Sequence, residues 1–208
     1  MLTESLRVDA GAPGLQALLS RATGIDASAS ARFRHLDDDT LDVFVTTPFE
    51  VVAARRIRGR ASRDGAVVSA HALLTALHEG VEEVGPASDP NWPGALPPAE
   101  GFRLLDNLPV TVVRDLSDQG QALARQFSGP LGPPSSLLNQ TVVTVTDGER
   151  EAEIPMRMIF ACTSLGLIPG FAAPVDIPRH LRVSAVGRWV RVDAPFGSVY
   201  RSLGLSLF

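Results

Sequence analysis

Apolar residues change period several times along this chain, and each change predicts an element. Leu15, Leu18, Leu19 and Ala22 recur at helical spacing between Pro13 and Gly24, which predicts a helix over 13–23 with proline in its first turn and glycine at its stop. Residues 30–36 and 41–46 then read as two short strands around the acidic turn Asp37-Asp38-Asp39-Thr40, with Val43-Phe44-Val45 as a buried strand centre. Thr47-Pro48-Phe49-Glu50 combines a capping threonine, a proline at the first helical position and a glutamate three residues past the cap, so a helix is expected over 48–58, stopped by Gly59. A second amphipathic helix over 70–79 turns Leu73, Leu74 and Leu77 inward and ends at Gly80.

Periodicity then lapses. Residues 80–110 hold six prolines and four glycines, the composition of an irregular connector. Pro109 opens a helix to Phe127, with Val112, Leu116, Leu123 and Phe127 at inward spacing and Gly120 as its weak point. The proline-rich loop 129–134 leads to a short turn over 135–139. Val142–Thr146 and Glu149–Ile154 flank Asp147-Gly148, a strong hairpin signal. Pro155 begins a helix to about Gly166, and Leu181–Val186 and Trp189–Asp193 form a closing hairpin about Gly187-Arg188. The expected class is α+β: antiparallel hairpins at about 30–46, 142–154 and 181–193 packed with four to five helices, without regular βαβ alternation. The length suits one domain over 1–208 or two lobes, 1–80 and 109–208, joined by the 80–110 connector. The 142–154 hairpin leaves an edge strand open, which makes a homo-oligomer, such as a homodimer, an expectation.

Composition narrows the chemistry. All nineteen basic side chains are arginine and none is lysine, as a high-GC genome of actinobacterial type would give. Schiff-base and PLP enzymes, P-loop proteins, kinases and Ser-x-x-Lys hydrolases all need a lysine, and a guanidinium cannot replace it because it stays protonated. Cys162 is the single cysteine, which excludes an intrachain disulfide and a multi-cysteine zinc site, and its apolar surroundings predict an inert thiol. The first twenty residues lack the apolar core of a signal peptide, and no apolar run reaches eighteen residues. A cytoplasmic protein without a membrane partner is expected. The net charge of −4 counts against a dedicated nucleic-acid binder.

Four groups of residues could carry function. Arg55, Arg56, Arg58, Arg60 and Arg63 place five guanidiniums in nine residues, able to bind phosphate or carboxylate in bidentate fashion, and Trp92 in the Pro-rich loop could add apolar contact. His35 with Asp37, Asp39 and Asp42 offers one imidazole and hard oxygens for Mg²⁺ or Mn²⁺, although the spacing is not that of an EF-hand. His71 and His78 lie seven apart, about 10 Å along a helix, too far to share one metal. Ser164, Asp176 and His180 follow the chain order of an α/β-hydrolase triad, but Ser164 falls late in a helix and the acid and base follow too closely. There is no Gly-x-Gly-x-x-Gly and no haem motif, and no cofactor is expected. The leading expectation is therefore a non-enzymatic module in which the arginine cluster and Trp92 bind an acidic protein or a small anion, with nucleic acid disfavoured. The alternatives are a small hydrolase or metal-assisted enzyme built on His35, Asp37 and Asp39, and a DNA-binding accessory protein using the basic segment.

Overall fold

A computed structural model describes residues 3–127 and 133–203. Of the expected loop 129–134, residues 129–132 lie outside the described residues. The chain divides into two compact units, the first holding 1–48 and 52–99, the second 49–51 and 100–208. The architecture is mixed α+β with antiparallel sheets and, among the described residues, five α-helices.

In the first unit, β1 (Thr3–Ala10) is followed by α1 (Ala12–Ile25), then β2 (Ser30–His35), β3 (Thr40–Thr46), β4 (Val52–Ala61), β5 (Val67–Ser69), α2 (Ala70–Glu79) and β6 (Glu83–Pro86). The strands run β5-β2-β3-β4, with β1 pairing antiparallel to both β4 and β6. Helix α1 buries Leu15, Leu18, Leu19 and Ala22, the residues its period singled out. Helix α2 begins at Ser69, whose side chain accepts from the Ala72 amide, and stops at Gly80 with φ 69°, a left-handed turn that costs glycine nothing. Both helices pack on the sheet face that carries Phe33, Leu41, Val43, Val45 and Ile57, all at most 3% exposed.

Two expectations fail here. The helix over 48–58 is a turn followed by β4, and Arg56-Ile57-Arg58-Gly59-Arg60-Ala61 alternates exposed and buried with the period of a strand. Thr47 to Glu50 has the sequence of a helix start, but pairing with β3 on one side and β1 on the other outweighs that local signal. The connector is also more ordered than its composition indicates, since 80–110 contains β6, a single turn of 3₁₀-helix at Asp89–Asn91, and the first strand of the second unit.

In the second unit, β7 (Arg103–Pro109) leads into α3 (Val110–Phe127), followed by α4 (Ser135–Asn139), β8 (Thr141–Thr146), β9 (Glu151–Pro155), α5 (Met156–Ser164), β10 (His180–Val186), β11 (Trp189–Ala194) and β12 (Gly197–Ser202). Strands β12-β11-β10-β7 form one antiparallel sheet, and β8-β9 form a separate hairpin. The turn between β8 and β9 has Gly148 at φ 93°, and Asp147 Oδ1 accepts the amides of Glu149 at 2.9 Å and Arg150 at 2.8 Å. Helix α3 sits one residue round from its expected orientation. It buries Val113, Ser117, Gly120 and Ala124, while Val112 and Leu123 are each 40% exposed and Phe127 66%. Gly120 is the reason: a Cβ there would stand 2.6 Å from Met156 Sδ and 2.9 Å from Phe160 Cε1, so the small-residue stripe admits the bulky face of α5.

Candidate functional site

The arginine cluster separates according to strand register. Arg56, Arg58 and Arg60 project from the outer, helix-free face of β4 and are exposed. Arg56 lies opposite Asp42 of β3, Arg58 opposite Thr40, and Arg60 opposite Arg7 of β1. Asp42 is only 3% exposed and accepts from two guanidiniums, Arg56 Nε at 2.9 Å and Arg34 Nη2 at 2.9 Å. Arg7 pairs with Asp9 at 3.1 Å, and that carboxylate raises its pKa. Arg58 and Arg60 form no ion pair among the described residues.

The other members of the cluster point elsewhere. Arg55 turns to the helix side, where its guanidinium lies so close to Gly14 of α1 that a Cβ at that position would be 2.1 Å from Cζ, and burial lowers its pKa. Arg63 reaches Glu4 at 2.8 Å and Asp89 at 2.7 Å, tying β1 to the 3₁₀ turn, and these partners raise its pKa. Glu4, 3% exposed, also accepts from Ser62 Oγ at 2.5 Å. Trp92 is 8% exposed, with the Arg32 guanidinium 5.8 Å from its ring centroid, so it pins the Pro-rich loop to its own sheet.

The proposed metal ligands do not converge. His35 Nε2 accepts from the Ala61 amide at 3.1 Å, joining β2 to the end of β4, and its lone pair is therefore spent. Asp37 Oδ1 accepts from the Asp39 amide at 2.9 Å, a turn-capping bond that holds its carboxyl below the usual range. Among the described residues, no group of three or more His, Cys, Asp or Glu side chains is arranged to hold a metal. Ser164 lines a cleft of about 390 Å³ beside α3 with Phe49, Gln121, Ala124, Arg125, Pro133 and Phe160, a lining without histidine or carboxylate. A larger cleft of about 670 Å³ is bordered by Leu123, Phe127, Pro134 and Leu137. Sequence reading missed both clefts, because they follow from the orientation of α3.

Cys162 is buried, and desolvation pushes its thiol up to about 12 from 9.0. Between those values the unfolded chain loses the thiol proton while the folded chain keeps it. Stability should therefore fall by about 1.4 kcal/mol per pH unit above pH ~9 from this group alone. Urea unfolding at several pH values should show that slope as the difference between the native chain and Cys162→Ala. Equal pH dependence in both would mean the thiol is not shielded in the folded protein.

No helix among the described residues is long and apolar enough to cross a membrane. No curated protein matches the chain. Solved structures do: a DNA polymerase sliding clamp from Pseudomonas aeruginosa is 14% identical with a TM-score of 0.55, covering 100% of this chain and 66% of its own. A DNA polymerase sliding clamp from Caulobacter crescentus is 11% identical with a TM-score of 0.55, covering 100% and 67%. The DNA polymerase III subunit beta from Pseudomonas aeruginosa gives 14%, 0.56, 99% and 66%. This chain therefore spans about two thirds of the length of these proteins and shares their fold.

That likeness overturns two expectations, a module for an acidic protein or small anion and the exclusion of nucleic acid as a partner. The exclusion rested on a whole-chain charge of −4, which averages over faces as different as the β4 arginine row and the acidic turn beside it. Residues 1–94 match the model of one domain of unknown function, DUF8010, and residues 97–205, over half of the chain, match that of another, so the chain belongs to the family described as domain of unknown function DUF8185.

Proposed function

We propose that this chain is a DNA-binding accessory protein, related in role to the DNA polymerase sliding clamps whose fold it shares. The observation that carries the reading is the extent of the likeness, which runs through both units and covers 100% of the chain at a TM-score of 0.55. An all-arginine set of cations suits such a role, because a guanidinium meets a phosphate with two parallel hydrogen bonds. Binding of this kind is electrostatic and independent of sequence, so affinity should fall linearly in log–log form as salt rises.

Fluorescence anisotropy of a labelled DNA duplex, titrated with the purified protein at several salt concentrations, tests this directly. Binding with a dissociation constant of about 100 µM or tighter near physiological salt, strengthening as salt is lowered, is the expected result. No anisotropy change at low salt would remove the proposal.

A further inference from the structure

We infer that the apolar cleft bordered by α3 and α4 is a docking site for the chain's own segment 204–208. The inference stands on the second unit alone and does not depend on the DNA-binding reading. Helix α3 leaves Leu123 40% and Phe127 66% exposed, and with Pro134 and Leu137 they wall a cleft of about 670 Å³. Binding sites for small ligands span roughly 300–1,000 Å³, so the volume is that of a site. Its remaining lining, Ser136, Asn139 and Gln140, carries no charge but can donate and accept hydrogen bonds. The cleft therefore suits a short segment with large apolar side chains, no charge and a backbone free to pair with that rim.

Composition singles out the occupant. Two segments of this unit lie outside the described residues, 128–132 and 204–208. The first, Ser-Gly-Pro-Leu-Gly, has one large apolar side chain, whereas the second, Gly-Leu-Ser-Leu-Phe, has three and no charged residue. In an extended chain Leu203, Leu205 and Leu207 fall on one side, and Leu203 is 45% exposed where β12 has ended. Burying that run against Leu123 and Phe127 removes two apolar surfaces from water at once.

The segment also departs from beside the cleft. Arg201, near the end of β12, is close enough to Arg157 at the start of α5 for the two like charges to interact. Arg157 Nη2 in turn donates to Asn139 Oδ1 on the rim of the cleft. Two side chains thus link the end of β12 to the cleft, and five extended residues reach up to about 17 Å further.

The test is the binding of a fluorescein-labelled peptide of residues 203–208, followed by anisotropy, to three forms of the full chain. These are the native chain, Leu205→Ser/Leu207→Ser/Phe208→Ser, and that triple variant with Leu123→Ser/Phe127→Ser added. The triple variant should bind the peptide, because its own segment no longer competes. For a peptide dissociation constant of about 100 µM the native chain should bind about tenfold more weakly, since a tethered segment acts at an effective concentration on the order of 1 mM. Adding the α3 pair should abolish binding. Leu123 and Phe127 are exposed, and an unchanged far-ultraviolet circular dichroism spectrum shows that folding is intact. Equal binding by the native chain and the triple variant overturns the inference, as does a triple variant that binds no peptide, or binding that survives loss of the α3 pair. Light scattering gives the mass of each form: a native dimer that becomes a monomer in the triple variant would place the segment on a second copy and overturn docking within one chain.

Discussion

Gly59→Ala is expected to destabilise the first unit by about 3 kcal/mol or more, the upper range for a single substitution. Gly59 has φ 151° and faces Val8 where β1 and β4 pair, next to the register shift between Val8 and Ala10. An added Cβ would stand 2.0 Å from the Arg7 carbonyl oxygen and 3.1 Å from Val8 Cα. Both are backbone atoms of a paired strand, so no side-chain rotation relieves the contact and β1 must move away. Gly80 provides the control. Its φ of 69° is also left-handed, but a Cβ there meets nothing within 4 Å, so Gly80→Ala should cost only the backbone strain, about 1 kcal/mol. Urea unfolding in a Trp189→Phe background, followed by the emission of buried Trp92, reports on the first unit. Equal midpoints for the two alanine variants would show that β1 does not approach β4 as closely as described.

The same strand shows what the sequence carried and what it did not. Helix α2 was legible over 70–79 because its determinants are local: leucines at helical spacing and a terminal glycine. The hairpin around Asp147-Gly148 was legible because its turn carries its own hydrogen bonds. Strand β4 was misread because Thr47 to Glu50 gives a strong local helix signal, whereas membership of a sheet depends on β1 and β3, and β1 comes from the far start of the chain. The alternation from Arg56 to Ala61 is present in the sequence, but the expected helix over 48–58, with Gly59 as its stop, runs across it. The inward face of α3 was missed for a different reason. Hydrophobicity favours Val112 and Leu116 over Ser117 and Gly120, yet the bulk of Met156 and Phe160 on α5 selects the small residues. For the candidate site, composition located the arginine cluster, while only register could separate the solvent-facing Arg56, Arg58 and Arg60 from Arg55 against α1 and Arg63 in its ion pairs.

Arg157→Met should cost the second unit about 2–4 kcal/mol, because Arg157 is 4% exposed and its guanidinium is bonded to several groups. Nη1 donates to the Phe49 carbonyl at 2.8 Å and to the Glu50 carboxylate, and Nη2 donates to Asn139 Oδ1. Removing it leaves the Phe49 carbonyl and the Asn139 amide oxygen without this donor, at about 1–3 kcal/mol for each group that stays dry. Two effects limit the loss. The Glu50 side chain is 81% exposed, so its carboxylate returns to water at little cost, and Arg201, whose pKa is lowered by burial and then by the charge of Arg157, is relieved of a like charge. Glu50→Gln should accordingly cost less than about 1 kcal/mol, since an exposed acid adds little to a guanidinium that keeps its other acceptors. Urea unfolding in a Trp92→Phe background, read through half-buried Trp189 on β11, compares the two. If Glu50→Gln proves as damaging as Arg157→Met, the ion pair holds residues 49–51 in the second unit; the expected asymmetry instead assigns that role to the hydrogen bonds of Arg157 with Phe49 and Asn139.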